Sequence, residues 1–172
     1  MTAQGVSRVL AVLVVAAAAV LGWMVRGADD SAGLTTTSAE SSSSTVASAR
    51  TKAAALDVAG EATTLAYSYS WKSLGEDRAA ARALMTRDMQ RRYDRTMAGV
   101  GTASRTDHTV VSAEVVESAL VTATSSYARV LLFVNQTTDG DSLDDPLLDL
   151  DRVLVTLVRD GDEWRLDDLD AL

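Results

Sequence analysis

Few side chains in this sequence could do acid–base or nucleophilic chemistry. It holds one histidine, His108, and no cysteine. A thiol nucleophile, Cys-ligated zinc, an iron–sulfur cluster and a disulfide framework are therefore excluded. General acid–base catalysis needs a proton donor or acceptor within hydrogen-bond reach of the reacting atom, tuned toward the working pH. The candidates are His108, Tyr67, Tyr69, Tyr93 and Asp94. His108 ends the polar stretch Ser104-Arg105-Thr106-Asp107-His108 just before a strand pattern, where a solvated loop position accounts for it. Tyr67 and Tyr93 could face a cavity, but their amphipathic rings suit ordinary core packing. Asp94 follows Tyr93 on a helix and points about 100° away from it, out of any shared pocket. No catalytic constellation is expected.

Metal and phosphate chemistry fare no better. Asp139, Asp141, Asp144, Asp145 and Asp149 offer the oxygen ligands that a hard cation such as Ca²⁺ takes. They lack the placed Gly and terminal Glu of an EF-hand loop, so they read as a solvated acidic connection with no metal assigned. Gly99-Val100-Gly101 does not follow a strand, as a phosphate-cradling turn would. No cofactor is expected. The net charge is −8 and the pI about 4.6. The densest basic stretch, Arg87, Arg91, Arg92 and Arg95, is interrupted by Asp88 and Asp94. That is a solvated helix face, not a phosphate-neutralising strip, so nucleic acid is not an expected partner.

Apolar binding is the remaining chemistry. Met85, Met89, Tyr93 and Met97 fall four apart on one helical stripe. Flexible Met side chains either fill an irregular core or line a pliable groove, and core packing is the plainer reading. If the fold closes a cavity, the residues expected to line it are Tyr67, Trp71, Met85, Met89, Tyr93, Phe133 and Trp164.

Along the chain, the first element is a hydrophobic run. Val9–Val25 carries no charge and is bracketed by Arg8 and Arg26. Seventeen residues at ~1.5 Å each span about 26 Å, enough for a short membrane helix. Trp23 near its end suits the headgroup zone. The run exceeds the roughly 7–15 residues of a signal-peptide core, so an uncleaved anchor is expected at 9–25 after a short cytoplasmic leader, 1–8. The basic bias that sets orientation is small, but the leader is too short to form a domain. The remainder is therefore placed outside the cytoplasm, with 24 acidic and 14 basic residues and a net charge of −10. Residues 26–48, rich in Ser, Thr, Ala and Gly, read as a flexible stalk.

Residues 49–172 read as one folded domain. Leu56, Gly60, Thr63, Tyr67 and Trp71 step by three or four, which predicts a helix from about Ala49 to Trp71. Gly75 breaks it and Glu76-Asp77 open a short second helix. Thr86 caps a third, which Gly99 and Gly101 end. Strand patterns then cover Val111–Val116, Tyr127–Val134, Asp151–Arg159 and Glu163–Leu166. Asn135–Leu148 reads as a polar connection and Asp160-Gly161 as a hairpin turn. Helices followed by antiparallel strands give an α+β fold, about three helices packed on a curved antiparallel sheet of about four strands.

This order resembles the Mce-associated membrane proteins of actinobacteria, whose extracytoplasmic domain is an NTF2-like cone. The resemblance is carried by Ala53–Trp71, by Thr86 with Tyr93, by Tyr127–Gln136, and by Arg152–Arg159 with Asp160-Gly161 and Trp164. Met89 stands where such helices often carry an aromatic. The resemblance implies a non-catalytic, membrane-anchored accessory subunit of an Mce-type lipid-transport complex, with other envelope proteins as partners. Three alternatives stay open: a carrier of a hydrophobic ligand or lipid in the cone, a secretion-apparatus subunit of the same layout, and a small isomerase or cyclase of the kind NTF2-like folds also host. Leu131 and Phe133, on the second face of their strand, are the first place to look for an exposed contact surface.

Overall fold

The structure, a computed structural model, describes residues 47–172. The expected leader and anchor, and all of the expected stalk except Ala47 and Ser48, lie outside the described residues. Among the described residues no helix is long and apolar enough to cross a membrane.

Helix α1 spans Ala49–Tyr67, and its N-cap Ser48 accepts a hydrogen bond from the Thr51 N–H. Its buried stripe, Ala55, Ala59, Ala62, Thr63 and Ala66, is built of small side chains, so the helix axis can lie close to the sheet. The helix ends four residues earlier than its spacing predicts. Ser68 turns extended and Tyr69–Ser70 forms a short strand, β1, paired with Val110 and Val111. Trp71 keeps helical spacing in the sequence, but its N–H donates to the Thr109 carbonyl at 3.0 Å and continues the sheet edge. Tertiary pairing overrides local periodicity here.

Helix α2, Leu74–Ala83, contains Gly75 in its first turn instead of being preceded by it as a break. The Asp77 carboxylate accepts from the Ser70 N–H at 2.8 Å and the Ser73 hydroxyl at 2.9 Å, and so closes the β1–α2 turn. Helix α3, Arg87–Thr106, starts at Thr86, whose hydroxyl accepts from the Met89 N–H. It runs through Gly99 and Gly101, where an end was expected. Neither glycine has a positive φ, and a helical Gly costs only about 0.5–1 kcal/mol relative to Ala. The buried stripe Met89, Tyr93, Met97 continues to Ser104 and holds the last turns on the core.

The sheet has five antiparallel strands in the order β1-β2-β3-β4-β5, one more than expected, with β2 at Val110–Ala123, β3 at Tyr127–Asp139, β4 at Leu147–Asp160 and β5 at Glu163–Ala171. Much of the expected Asn135–Leu148 connection is strand: Asn135 pairs with Leu150, and Thr138 with Leu147. Over Asn135–Asp139 polar residues lie on both faces, so no alternation advertised that end of β3. Register shifts at Val115/Glu117 and Leu120/Thr122 expel Val116 and Val121, which are 49% and 57% exposed. Such bulges add twist and bend the sheet around its cargo of helices. The β4–β5 hairpin turns at Gly161-Asp162, between the paired Asp160 and Glu163, with Gly161 at φ 64°.

The core lies between the helices and one face of the sheet. Val130, Leu132, Val153, Val155, Leu157 and Leu166 are fully buried there. Leu166 also exchanges backbone hydrogen bonds with Leu84 and Thr86, so the α2–α3 joint shields part of the β5 edge.

Candidate interaction surface

The acid–base candidates occupy structural roles. His108 sits at φ 48°, and its Nδ1 is 2.6 Å from the Asp141 carboxylate. Its ring centroid lies 4.2 Å from that of Trp71. Beside it, the Asp107 carbonyl accepts from the Asp141 N–H and the Asp107 carboxylate from the Ser142 hydroxyl, each at 2.8 Å. Together these contacts clasp the α3–β2 joint to the β3–β4 loop. Asp94 is held by Arg78 at 3.1 Å and Arg82 at 2.8 Å, which ties α3 to α2.

Burial pushes the Tyr67 phenol up to about 12, and the charges of Asp151 and Asp170 push the same way. Tyr93 is likewise pushed up to about 12, mainly by burial, with Arg78 pulling it back and Asp77, Asp94 and Tyr69 raising it further. Burial raises Tyr69 as well. These phenols stay protonated at neutral pH and are poor general bases. Asp151 and Asp170 are raised by burial first, then by Asp149 and Asp168 respectively; Arg129 and Arg92 pull Asp170 back. Among the described residues no group of three or more His, Asp or Glu side chains is placed to hold a metal ion.

The seven apolar positions do not form one lining. Met85, Met89, Tyr93 and Trp164 are buried on the helix-covered side, and Tyr67 is half-buried there. Trp71 lies at the β1–α2 turn against His108, with the Lys72 ammonium 5.3 Å from its ring centroid. Phe133 stands on the opposite face of the sheet, between the buried Leu132 and Val134. Two shallow clefts mark the surface, about 290 Å³ beside Arg78 and Arg82 and about 220 Å³ beside Tyr69 and Val111, and none of the seven positions lines either.

The larger feature is the second face of the sheet, which none of the described helices covers. Strand register sets its side chains in rows, because residues directly opposite each other share a face. Leu131 sits between Ala119 and Leu154, Phe133 between Glu117 and Arg152, and Asn135 between Glu114 and Leu150. Tyr127 pairs with Val158 at one end and Thr137 with Leu148 at the other. Phe133 and Tyr127 are each 37% exposed, Leu148 56% and Leu150 73%. The centre is apolar and its rim carries both signs of charge, the anatomy of a protein contact patch. Glu117, Arg129 and Arg152 have no ion-pair partner among the described residues. Leu131 and Phe133 were legible as the second face of their strand. Leu148, Leu150, Leu154 and Val158 were missed, although Leu148-Asp149-Leu150-Asp151 alternates as a strand should.

No protein-family model and no curated protein matches the sequence. Solved structures do match. An IcmL-like type IV secretion system protein from Legionella pneumophila aligns at TM-score 0.60 and 11% identity, over 68% of this chain and 88% of that one. The periplasmic domain of DotI aligns at TM-score 0.60 and 14% identity, over 70% and 94%. CagV, a VirB8 homologue of the Helicobacter pylori type IV secretion system, aligns at TM-score 0.53 and 12% identity, over 69% and 96%. At such identities the likeness establishes the fold alone: residues 47–172 adopt an NTF2-like α+β fold, with three helices on a five-stranded antiparallel sheet.

Proposed function

We propose that this chain is a non-catalytic assembly subunit of a multiprotein envelope complex, anchored by residues 9–25 and carrying its NTF2-like domain outside the cytoplasm. One observation carries the reading: the domain displays its surplus apolar surface on an open sheet face. An enzyme or a carrier concentrates such surface in a concave pocket, whereas a contiguous exposed patch marks a protein contact. The acid–base candidates are engaged in clasps and core packing, which agrees with a structural role.

Of the two kinds of complex, a secretion apparatus is the nearer. The solved domains that share this fold along nearly their whole length are described as type IV secretion proteins or as a periplasmic domain. An Mce-type lipid-transport complex rests on the sequence resemblance alone. The test is capture of the tagged full chain from mildly crosslinked, detergent-solubilised membranes. Other envelope proteins are expected in the eluate, and their identities separate secretion from lipid transport. Recovery of the chain alone, or only with further copies of itself, would overturn the assembly reading.

A further inference from the structure

We propose that the outward face of α2 and α3 docks on a phospholipid bilayer of negative surface charge, through five arginines that bind headgroup phosphates. This rests on the anchored reading above and adds to it a membrane-facing side of the domain.

Charge is divided unevenly over the fold. Leu74–Thr106, which spans α2, α3 and their joint, carries seven Arg and four acids. The other described residues carry seven cations against 17 acids. A positive surplus therefore sits on this helix pair, in a chain whose net charge is −8.

Within α3, Arg87, Arg91 and Arg95 recur every four residues and stay within about 80° of one another along roughly 12 Å of helix. They stand opposite the buried Met89, Tyr93 and Met97, and all three are exposed. The acids that interrupt this stretch in the sequence are engaged within the fold. Asp88 pairs with Arg91. Asp94 turns toward α2, where Arg78 at 3.1 Å and Arg82 at 2.8 Å share its one carboxylate. Two guanidinium groups on one carboxylate leave positive charge over, and α2 so widens the arginine ridge. Arg78 and Arg82 line the shallow cleft of about 290 Å³, and the buried Arg78 Nε has no hydrogen-bond partner among the described residues. Arg87 and Arg95 form no ion pair among the described residues. Glu76 lies about 160° round α2 from Arg78, and Asp77 is engaged by Ser70 and Ser73.

The composition of the face distinguishes a bilayer from a protein partner. Protein interfaces are built around an apolar, often aromatic centre. Of the large apolar side chains exposed among the described residues, none lies on α2 or α3. Phosphate needs no such centre, because a guanidinium binds it through paired, charge-assisted hydrogen bonds. Screening decides whether the acidic remainder of the domain opposes contact. The Debye length at physiological salt is about 8 Å, shorter than the roughly 10 Å between packed layers. The carboxylates of the sheet are therefore largely screened from a surface that the helices touch. Only 21 residues separate the proposed anchor from Ala47, so the bilayer is held at high effective concentration.

The chain has no cysteine, so one added thiol reports alone. Ala98→Cys places it one turn beyond Arg95 on the same exposed side of α3, and Ala119→Cys places it on the open sheet face. The full chain, in nanodiscs, carries a small fluorophore at either position, and the bilayer carries a fixed share of spin-labelled headgroups as quencher. Discs of phosphatidylcholine alone are compared with discs of equal parts phosphatidylglycerol and phosphatidylcholine. At ~0.1 M salt the anionic discs are expected to raise quenching at position 98 about threefold over the neutral ones. At ~1 M salt, where the screening length is about 3 Å, the rise is expected to vanish. Position 119 is expected to show no rise. Arg87→Gln combined with Arg95→Gln should remove most of the gain at position 98 and leave the thermal midpoint unchanged. Lys at both positions should keep at least half of the gain.

Equal quenching at position 98 in the two kinds of disc, an equal rise at position 119, or a gain that survives the Gln pair would overturn the proposal. If the Gln pair strips captured envelope proteins from the full chain while the discs show no gain, the face is a protein contact and the bilayer reading falls. Docking that persists in a chain capturing no other envelope protein refutes the assembly reading alone.

Discussion

Thr86 concentrates several contacts in one small side chain. Its hydroxyl accepts from the Met89 N–H and donates to the Asp167 carboxylate at 2.8 Å, and its own N–H donates to Leu166. The cap therefore starts α3 and pins it to β5. Thr86→Ala should lower stability by about 1–2 kcal/mol, read as a lower urea midpoint with an unchanged slope. The raised phenols make a prediction in pH. The folded state holds the Tyr67 proton up to about 12, while an unfolded chain releases it near the ordinary value of 10.0. The folded state thus binds more protons in that window, and stability falls as pH rises through it. Tyr67→Phe should flatten the alkaline fall in thermal midpoint and leave the neutral value little changed. The Asp170 carboxyl is also raised, so its ionisation opposes folding above the ordinary carboxylate range. Asp170→Asn should raise the midpoint at neutral pH and lose that effect at about pH 3.

Two glycines show how an element's environment reverses the sign of one substitution. Gly99 lies inside α3 with open space where a Cβ would stand. Gly99→Ala should stabilise the domain by about 0.5–1 kcal/mol, because Ala loses less backbone entropy in a helix. At Gly140 a Cβ would meet the Asp107 Oδ2 at 2.8 Å and the Asp107 carbonyl at 2.9 Å. Gly140→Ala must push the β3–β4 loop off the α3–β2 joint and should lower the thermal midpoint. Equal effects at the two positions would contradict this geometry. Most elements were legible from pattern: the Thr86 cap, the Met85-Met89-Tyr93-Met97 stripe, and the alternation through Tyr127–Val134. Leu148 and Leu150 were a missed local alternation; the other errors share a different cause. Trp71, Gly99 and Asn135 each sit where a distant strand or helix, not the local sequence, sets the backbone.

At the scale of the molecule, the sheet divides one strand into two destinies. Leu132 is fully buried and Phe133, one residue on, is 37% exposed on the open face. Leu132→Asp places an unpaired charge in the core and should prevent folding or cost several kcal/mol. Phe133→Asp, measured in dilute solution, should leave the domain folded and cost about 1–2 kcal/mol, from lost cross-strand packing and strand propensity. Circular dichroism melts of the two variants check the register directly. If Phe133→Asp unfolds the domain, some other part of the chain covers that face.

The α+β order, the lack of thiol chemistry and the apolar Val9–Val25 run are all readable from residue order. Those properties follow from composition and from periodicities a few residues long, which need no knowledge of distant neighbours. Strand pairing is what sets Phe133 across the sheet from Met89 and Trp164, flanks it with Glu117 and Arg152 on separate strands, and brings His108 to Asp141. Each of those facts depends on register between segments far apart in the chain. A shift of a single residue in that pairing would send every one of these side chains to the other face.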